Sequence, residues 1–209
     1  MRQPIVGHLD PFFLQVNEDI RQGLKTCFGT ANEFTMVISG TGSAGMECAV
    51  TNFVEPGAKV AVFANGYFSD RLTEMARRHG GDVVRLEKPW GETYTDAEAR
   101  EFIASTKPAV VAFVQAETST GAYQPGHAIC KAAHDAGALV IADCVTSLGG
   151  MPVLVDESGI DIAYSGTQKA LGCPPGLAPI TCSPRALEWL KARKTTTVSW
   201  YLDLKLLLD

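Results

Sequence analysis

The sequence predicts an α/β fold, a mainly parallel sheet with helices on both faces. Short apolar, β-branched runs alternate along the chain with stretches of helical periodicity, the pattern of strand–helix–strand units. The runs are continuous rather than alternating with polar residues, as expected of strands buried on both sides. A hydrophobic content of 46% against 20% charged residues, over 209 residues, supplies a sizeable core and argues against disorder.

Each element follows in order. Residues 11–26 carry an amphipathic helical pattern. Residues 34–38 read as a buried strand, followed by the glycine-rich Ser39-Gly40-Thr41-Gly42-Ser43. A helix is expected over 43–53, a turn at Pro56-Gly57, a strand at 59–63 and a helix over 69–79. Residues 82–86 read as a strand, and Thr95 is placed to cap a helix over 96–105. Then come a strand at 110–114, a helix at 126–136, a strand at 138–142, and short strands at 161–164 and 179–182. Residues 186–193 begin a further helix, and the tail through Leu206-Leu207-Leu208 reads as the start of another. We divide the chain into an N-terminal helical segment, 1–30, and one large domain, 31–209.

Composition narrows the function. A net charge of -5 argues against nucleic acid or an anionic membrane as the main partner. The basic cluster Lys191-Ala192-Arg193-Lys194 reads as a solvated helix end. No apolar run reaches the length of a membrane span. The start, Met1-Arg2-Gln3-Pro4-Ile5-Val6-Gly7-His8, lacks a signal-peptide layout. Six scattered cysteines without a C-x-x-C pair read as reduced thiols of a cytoplasmic protein. Of the four histidines only His127 and His134 have a spacing that could share a helix face. No acid or cysteine repeat accompanies them, so no metal is expected.

In such sheets ligands bind beyond the carboxyl ends of the strands. The polar residues to inspect are therefore Thr41 and Ser43, then residues 65–68, 117–121, 143–147 and 165–169. Lys169 is the one charge in the stretch 162–184. A lysine held partly out of water loses its proton more readily, and its neutral amine attacks aldehydes to form a Schiff base. A solvated lysine on a Gly/Pro loop is the plain alternative. Gly40-Thr41-Gly42-Ser43-Ala44-Gly45 matches G-x-G-x-x-G and sits where a helix start could hold a phosphate. A dinucleotide site would want an acid at the end of the second strand, where Ala64-Asn65-Gly66 stands instead. Asp143 ends a buried strand and is the only charge between Asp135 and Asp156, so it needs a partner or its pKa rises. A pyridinium N–H is such a partner, and a turn-forming role is the alternative. Phe68, with Tyr67 behind it, offers a face for a flat ring, or simply core packing. Thr118 offers a hydroxyl for a phenolate oxygen, or an ordinary turn.

A phosphate cradle, an aromatic face, a hydroxyl, an acid for a ring nitrogen and a lone lysine together describe one ligand, pyridoxal 5'-phosphate. The chain resembles the large domain of the class V aminotransferases, in particular their alanine–glyoxylate and serine–glyoxylate branch, over residues 34–204. The resemblance rests on Ser39-Gly40-Thr41-Gly42, on Glu117-Thr118-Ser119-Thr120-Gly121 and on Asp143-Cys144-Val145-Thr146-Ser147-Leu148-Gly149-Gly150. It rests also on Tyr164-Ser165-Gly166-Thr167-Gln168-Lys169-Ala170-Leu171. It implies the aspartate-aminotransferase-like fold (fold type I), with Lys169 as the Schiff-base lysine and Asp143 as the partner of the ring nitrogen. It also implies Val145 against one ring face, Phe68 stacked on the other, and Thr118 at the ring hydroxyl. Thr41, Gly42, Ser43 and Gln168 would contact the phosphate. Position 43 is often histidine in relatives, and Ser43 can still donate.

The implied reaction is transamination between a small amino acid, serine or alanine, and a 2-oxo acid such as glyoxylate, in a homodimer. Lys169 would serve as general base and acid at the α-proton. Relatives open with a Gly-Pro-Gly-Pro segment and continue into a second domain. That domain carries a carboxylate-binding arginine and a Tyr-x-x-Thr segment reaching the partner's phosphate. Met1-Arg2-Gln3-Pro4 and Leu206-Leu207-Leu208-Asp209 match neither end, so a fragment lacking the small domain is expected. Its tail, 200–208, would expose apolar surface, with poor solubility or oligomerisation and weak turnover. The competing readings are a lyase or desulfurase of the same fold, a nucleotide-binding oxidoreductase built on Gly40 to Gly45, and an inactive cofactor-binding remnant. A desulfurase would need a mobile nucleophilic cysteine, a poor fit to Cys173 or Cys182.

Overall fold

The computed structural model describes residues 5–208, so the first four residues of the N-terminal reading, and Asp209, lie outside the described residues. In chain order the strands are β1 (Phe34–Ser39), β2 (Lys59–Ala64), β3 (Asp82–Glu87) and β4 (Val110–Val114), then the two-residue pair β5 (Ala116–Glu117) and β6 (Ala122–Tyr123). They continue with β7 (Leu139–Asp143), β8 (Ile162–Tyr164) and β9 (Leu177–Cys182). The helices are α1 (Pro11–Phe28), α2 (Gly42–Phe53), α3 (Tyr67–Arg78), α4 (Asp96–Thr106), α5 (His127–Asp135), α6 (Val155–Ser158) and α7 (Pro184–Ala192).

Seven strands form one sheet in the order β1-β9-β8-β7-β4-β2-β3, and β5 pairs with β6 apart from it. Within the seven-stranded sheet β9 runs against its neighbours, β1 and β8, and the other ladders are parallel; β5 and β6 pair antiparallel. The mainly parallel sheet expected from the sequence is therefore the observed one. Its strands read as continuous apolar runs because alternate residues feed two different cores. On β2, Val60 and Val62 join the core beneath α2, α3 and α7, whereas Ala61 and Phe63 join the one beneath α1, α4 and α5. Val110 and Val111 divide in the same way on β4, as do Val140 and Ile141 on β7.

Local signals set most boundaries. Asp10 accepts from the Phe12 N–H, Pro11 opens α1, and Gly29, at φ 63°, ends it. Thr95 and Glu98 form a reciprocal capping box at α4. Differences from expectation arise where the determinant is distant. The third helix starts at Tyr67 rather than 69, because Glu117, remote in sequence, accepts from the N–H groups of Phe68 and Ser69. The pair β5/β6 and the four-residue α6 are too short to give a periodic signal.

The tail corrects the sequence reading: it is a single 3₁₀ turn, Leu204–Leu207, rather than the start of an α-helix. Asn52 of α2 fixes it, donating to Leu202 O at 2.6 Å and accepting from Leu204 N at 2.9 Å. Leu202 and Leu204 are buried in the core, while Val198, Trp200, Tyr201, Leu206 and Leu207 are exposed. Apolar exposure at the tail is therefore partial. Among the described residues no helix is long and apolar enough to cross a membrane.

Candidate active site

Strands β1, β2, β4, β7 and β8 run in one direction, so the segments following them meet along one edge of the sheet. A cavity of about 200 Å³ opens there. Thr41, Gly42, Ser43, Phe68, Asp143, Val145, Gln168 and Lys169 all line it, together with Met46 and Arg71. Eight of the nine residues singled out from sequence thus border one space. The ninth, Thr118, stands outside the lining and shares a short hydrogen bond with the Thr146 hydroxyl.

Asp143 is the last residue of β7 and is 3% exposed. One carboxylate oxygen accepts from Val145 N at 2.9 Å and the other from the Tyr164 hydroxyl at 2.9 Å. Burial nevertheless pushes its pKa from 3.8 up to about 6. The two hydrogen bonds and the charge of Arg71 pull it down, and Glu117 adds repulsion. The Tyr164 phenol is pushed well above its ordinary value, by burial first and by Asp143 next, so it stays protonated and donates. Tyr164 stands beside Asp143 because β8 pairs with β7 in that register.

Lys169 follows β8 on a turn and is partly buried at the cavity wall. Among the described residues no side chain forms an ion pair with its amine. The glycine-rich loop owes its shape to close backbone approach. A Cβ on Gly42 would lie 3.0 Å from the Val145 side chain, and one on Gly166 would lie 3.2 Å from the backbone of Gly42. The start of α2 can thus press against the loop that carries Gln168 and Lys169.

Phe68 is held from below. Glu117, 1% exposed, accepts from Phe68 N at 3.1 Å, Ser69 N at 3.2 Å and the Ser119 hydroxyl at 2.7 Å. Gly66 allows this, since a Cβ there would lie 2.3 Å from the Glu117 Cγ. Sequence reasoning missed Arg71, Met46, Tyr164 and the capping role of Glu117. Arg71 had a signal, since it lies one helical turn beyond Phe68 and shares its face.

A larger cavity, about 790 Å³, lies at the other end of the sheet against Asp161, His134 and Arg185. Asp161 there accepts from His134 Nε2, Val140 N, the Ser183 hydroxyl and Arg185 Nη1 at 2.8–3.0 Å. This fully bonded carboxylate ties α5, α7 and β7 together. The smaller cavity is where amine, acid and aromatic meet, and chemistry rather than volume selects it.

The fold is that of the fold type I aminotransferases. Residues 6–198 match the family model "Aminotransferase class-V", and the chain belongs to that family. It is 39% identical to alanine–glyoxylate aminotransferase of Rattus norvegicus over 200 residues, 96% of this chain and 48% of that protein. It is 40% identical to the (S)-ureidoglycine–glyoxylate transaminase of Bacillus subtilis over 194 residues, 93% of this chain and 47% of that one. The crystal structure of alanine–glyoxylate aminotransferase from Nostoc sp. superposes with a TM-score of 0.96 at 46% identity. That match covers 98% of this chain and 54% of the other. The chain spans about half the length of the relatives it matches.

Proposed function

We propose that this chain is the cofactor-binding part of a pyridoxal 5'-phosphate-dependent aminotransferase. Its substrates would be a small amino compound, alanine or serine among them, and a 2-oxo acid such as glyoxylate. The observation that carries this reading is the meeting of Lys169, Asp143 and Phe68 with the glycine-rich loop around one cavity. The acceptor is suggested by the relatives, whose names pair alanine or ureidoglycine with glyoxylate.

The residues fit the cofactor. Asp143 is a buried carboxylate at the cavity wall whose pKa is pushed up, so a cationic ring N–H opposite would restore its ionisation. Thr41, Gly42 and Ser43 line the cavity at the start of α2, where an anion would meet the first helical N–H groups. Bound there, pyridoxal 5'-phosphate would supply an aldehyde for amines and an electron-withdrawing ring that lets an α-proton leave.

The chain's own groups would do the rest. Asp143, kept charged by Val145 N–H and Tyr164 O–H, holds the proton on the ring nitrogen. Phe68 and Val145, both lining the cavity, would hold a flat ring between them. Thr41, Gly42, Ser43 and Gln168 would donate to the phosphate, whereas Thr118, outside the cavity lining and bonded to Thr146, would have to turn to reach a ring hydroxyl. Lys169 Nζ, at the cavity wall, would be the amine that holds the cofactor, and as a free amine it would accept and return a substrate proton. The family resemblance extends the proposal to a homodimer, and the scattered cysteines extend it to the cytoplasm. Six free cysteines, four of them buried, are in keeping with a reducing compartment.

Adding pyridoxal 5'-phosphate to purified protein should give a visible absorption band, and borohydride should fix the label on Lys169. A band unchanged in Lys169→Ala refutes the lysine assignment. Loss of the band on adding alanine, serine or ureidoglycine, and its return with glyoxylate, would identify donor and acceptor.

A further inference from the structure

Arg71 borders the cavity and has no assigned role. It sits on α3 one turn beyond Phe68, and its guanidinium lies 4.9 Å from the centroid of the Phe68 ring and 5.3 Å from that of Tyr67. Its Nη1 donates to the Ser43 hydroxyl at 2.9 Å. Neighbouring charges are arranged differently. Asp70 pairs with Arg85, and Glu74 pairs with Arg78. Among the described residues no carboxylate forms an ion pair with Arg71. A guanidinium carries five N–H donors in a planar fork suited to phosphate, and here one of them is used.

We propose that Arg71 is an anion-binding residue of this site, closing on the cofactor's phosphate together with Ser43; the proposal rests on the cofactor reading above. Ser43 is the second residue of α2, where the first N–H groups lack intrahelical acceptors and the helix end favours negative charge. Because its oxygen accepts from Arg71, the Ser43 proton is free to point at an anion. The two aromatic rings orient the guanidinium and limit the freedom it loses on binding. The contact with Ser43 puts the guanidinium at the helix-start end of the cavity. That favours a phosphate over a substrate carboxylate as its ligand.

The test titrates pyridoxal 5'-phosphate and phosphate-free pyridoxal separately into the full-length protein, following visible absorption, in the unaltered protein, Arg71→Gln and Arg71→Lys. Arg71→Gln is expected to weaken pyridoxal 5'-phosphate on the order of 10- to 100-fold, the worth of a charge-assisted hydrogen bond. Pyridoxal affinity should stay unchanged, and Arg71→Lys should recover part of the loss. Inorganic phosphate should compete with pyridoxal 5'-phosphate less well in Arg71→Gln. Equal weakening of both ligands would mean that Arg71 acts only by holding Phe68, and would overturn the proposal. So would unchanged binding of both, or a loss confined to amino- or oxo-acid substrates. If the unaltered protein binds neither ligand, the cofactor reading itself falls, and this one with it.

Discussion

Asp143 sets stability against chemistry in a way that can be measured. Its carboxyl is buried, and burial raises its pKa from 3.8 to about 6 despite hydrogen bonds from Val145 and Tyr164 and the nearby charge of Arg71. The native state therefore holds this proton more tightly than the unfolded chain does. Stability is least affected below pH 3.8, where both states are protonated, and is lost as the pH rises through about 6. The gap corresponds to about 3 kcal/mol above that range. Asp143→Asn keeps the shape and removes the charge. In protein stripped of cofactor at pH 8, it should be more stable than the unaltered protein by about 1–3 kcal/mol, allowing for an imperfect hydrogen bond to Tyr164. Each kcal/mol should appear as roughly 2–4 °C in Tm for a chain of this size. The advantage should shrink toward zero as the pH approaches 4. Urea unfolding at pH 8 and pH 4.5 measures it, with the midpoint read at constant slope. A variant less stable than the unaltered protein at pH 8, or a difference independent of pH, would refute the reasoning. The same substitution should weaken binding of pyridoxal 5'-phosphate, because the ring nitrogen loses its anionic partner.

Two further perturbations probe the supports of the site. Gly66→Ala places a methyl 2.3 Å from the Glu117 Cγ, so the carboxylate must leave the start of α3. A loss of about 2 kcal/mol in urea unfolding is expected, with weaker cofactor binding as Phe68 shifts; unchanged stability would show that Glu117 moves freely. Asn52→Ala removes the tie between α2 and the tail at Leu202 and Leu204. Faster hydrogen exchange over residues 199–208 is expected, with cofactor affinity preserved. Unaltered exchange would show that the burial of Leu202 and Leu204 alone holds the turn.

What could be read from the sequence was what short stretches determine. The strands stood out because each supplies two cores at once, so that Val60 and Ala61, or Val110 and Val111, are both apolar without alternation. Lys169 and Asp143 stood out because isolated charges in apolar stretches need a reason. The edge on which they meet followed from topology, since parallel strands deliver their following loops to one side. What stayed hidden depends on which strands lie side by side. Tyr164 reaches Asp143 only because β8 lies next to β7, and Glu117 caps α3 only because β5 passes beneath its first turn. No pattern within a single element encodes those neighbours.

That division has a physical consequence for the site. Most residues legible from sequence are those proposed to touch the cofactor, whereas the hidden Tyr164, Glu117 and Gly66 fix their orientation and charge. The Asp143 carboxylate without the Tyr164 hydroxyl would be less often ionised, and Phe68 without Glu117 would sit on a frayed helix start. A chain retaining Lys169, Asp143 and Phe68 but lacking Tyr164, Glu117 and Gly66 would keep the residues proposed to touch the cofactor and lose their supports. It would present a protonated acid and a misplaced ring to the same cavity. Function at this edge of the sheet is therefore decided as much by strand order as by the residues that the motifs contain.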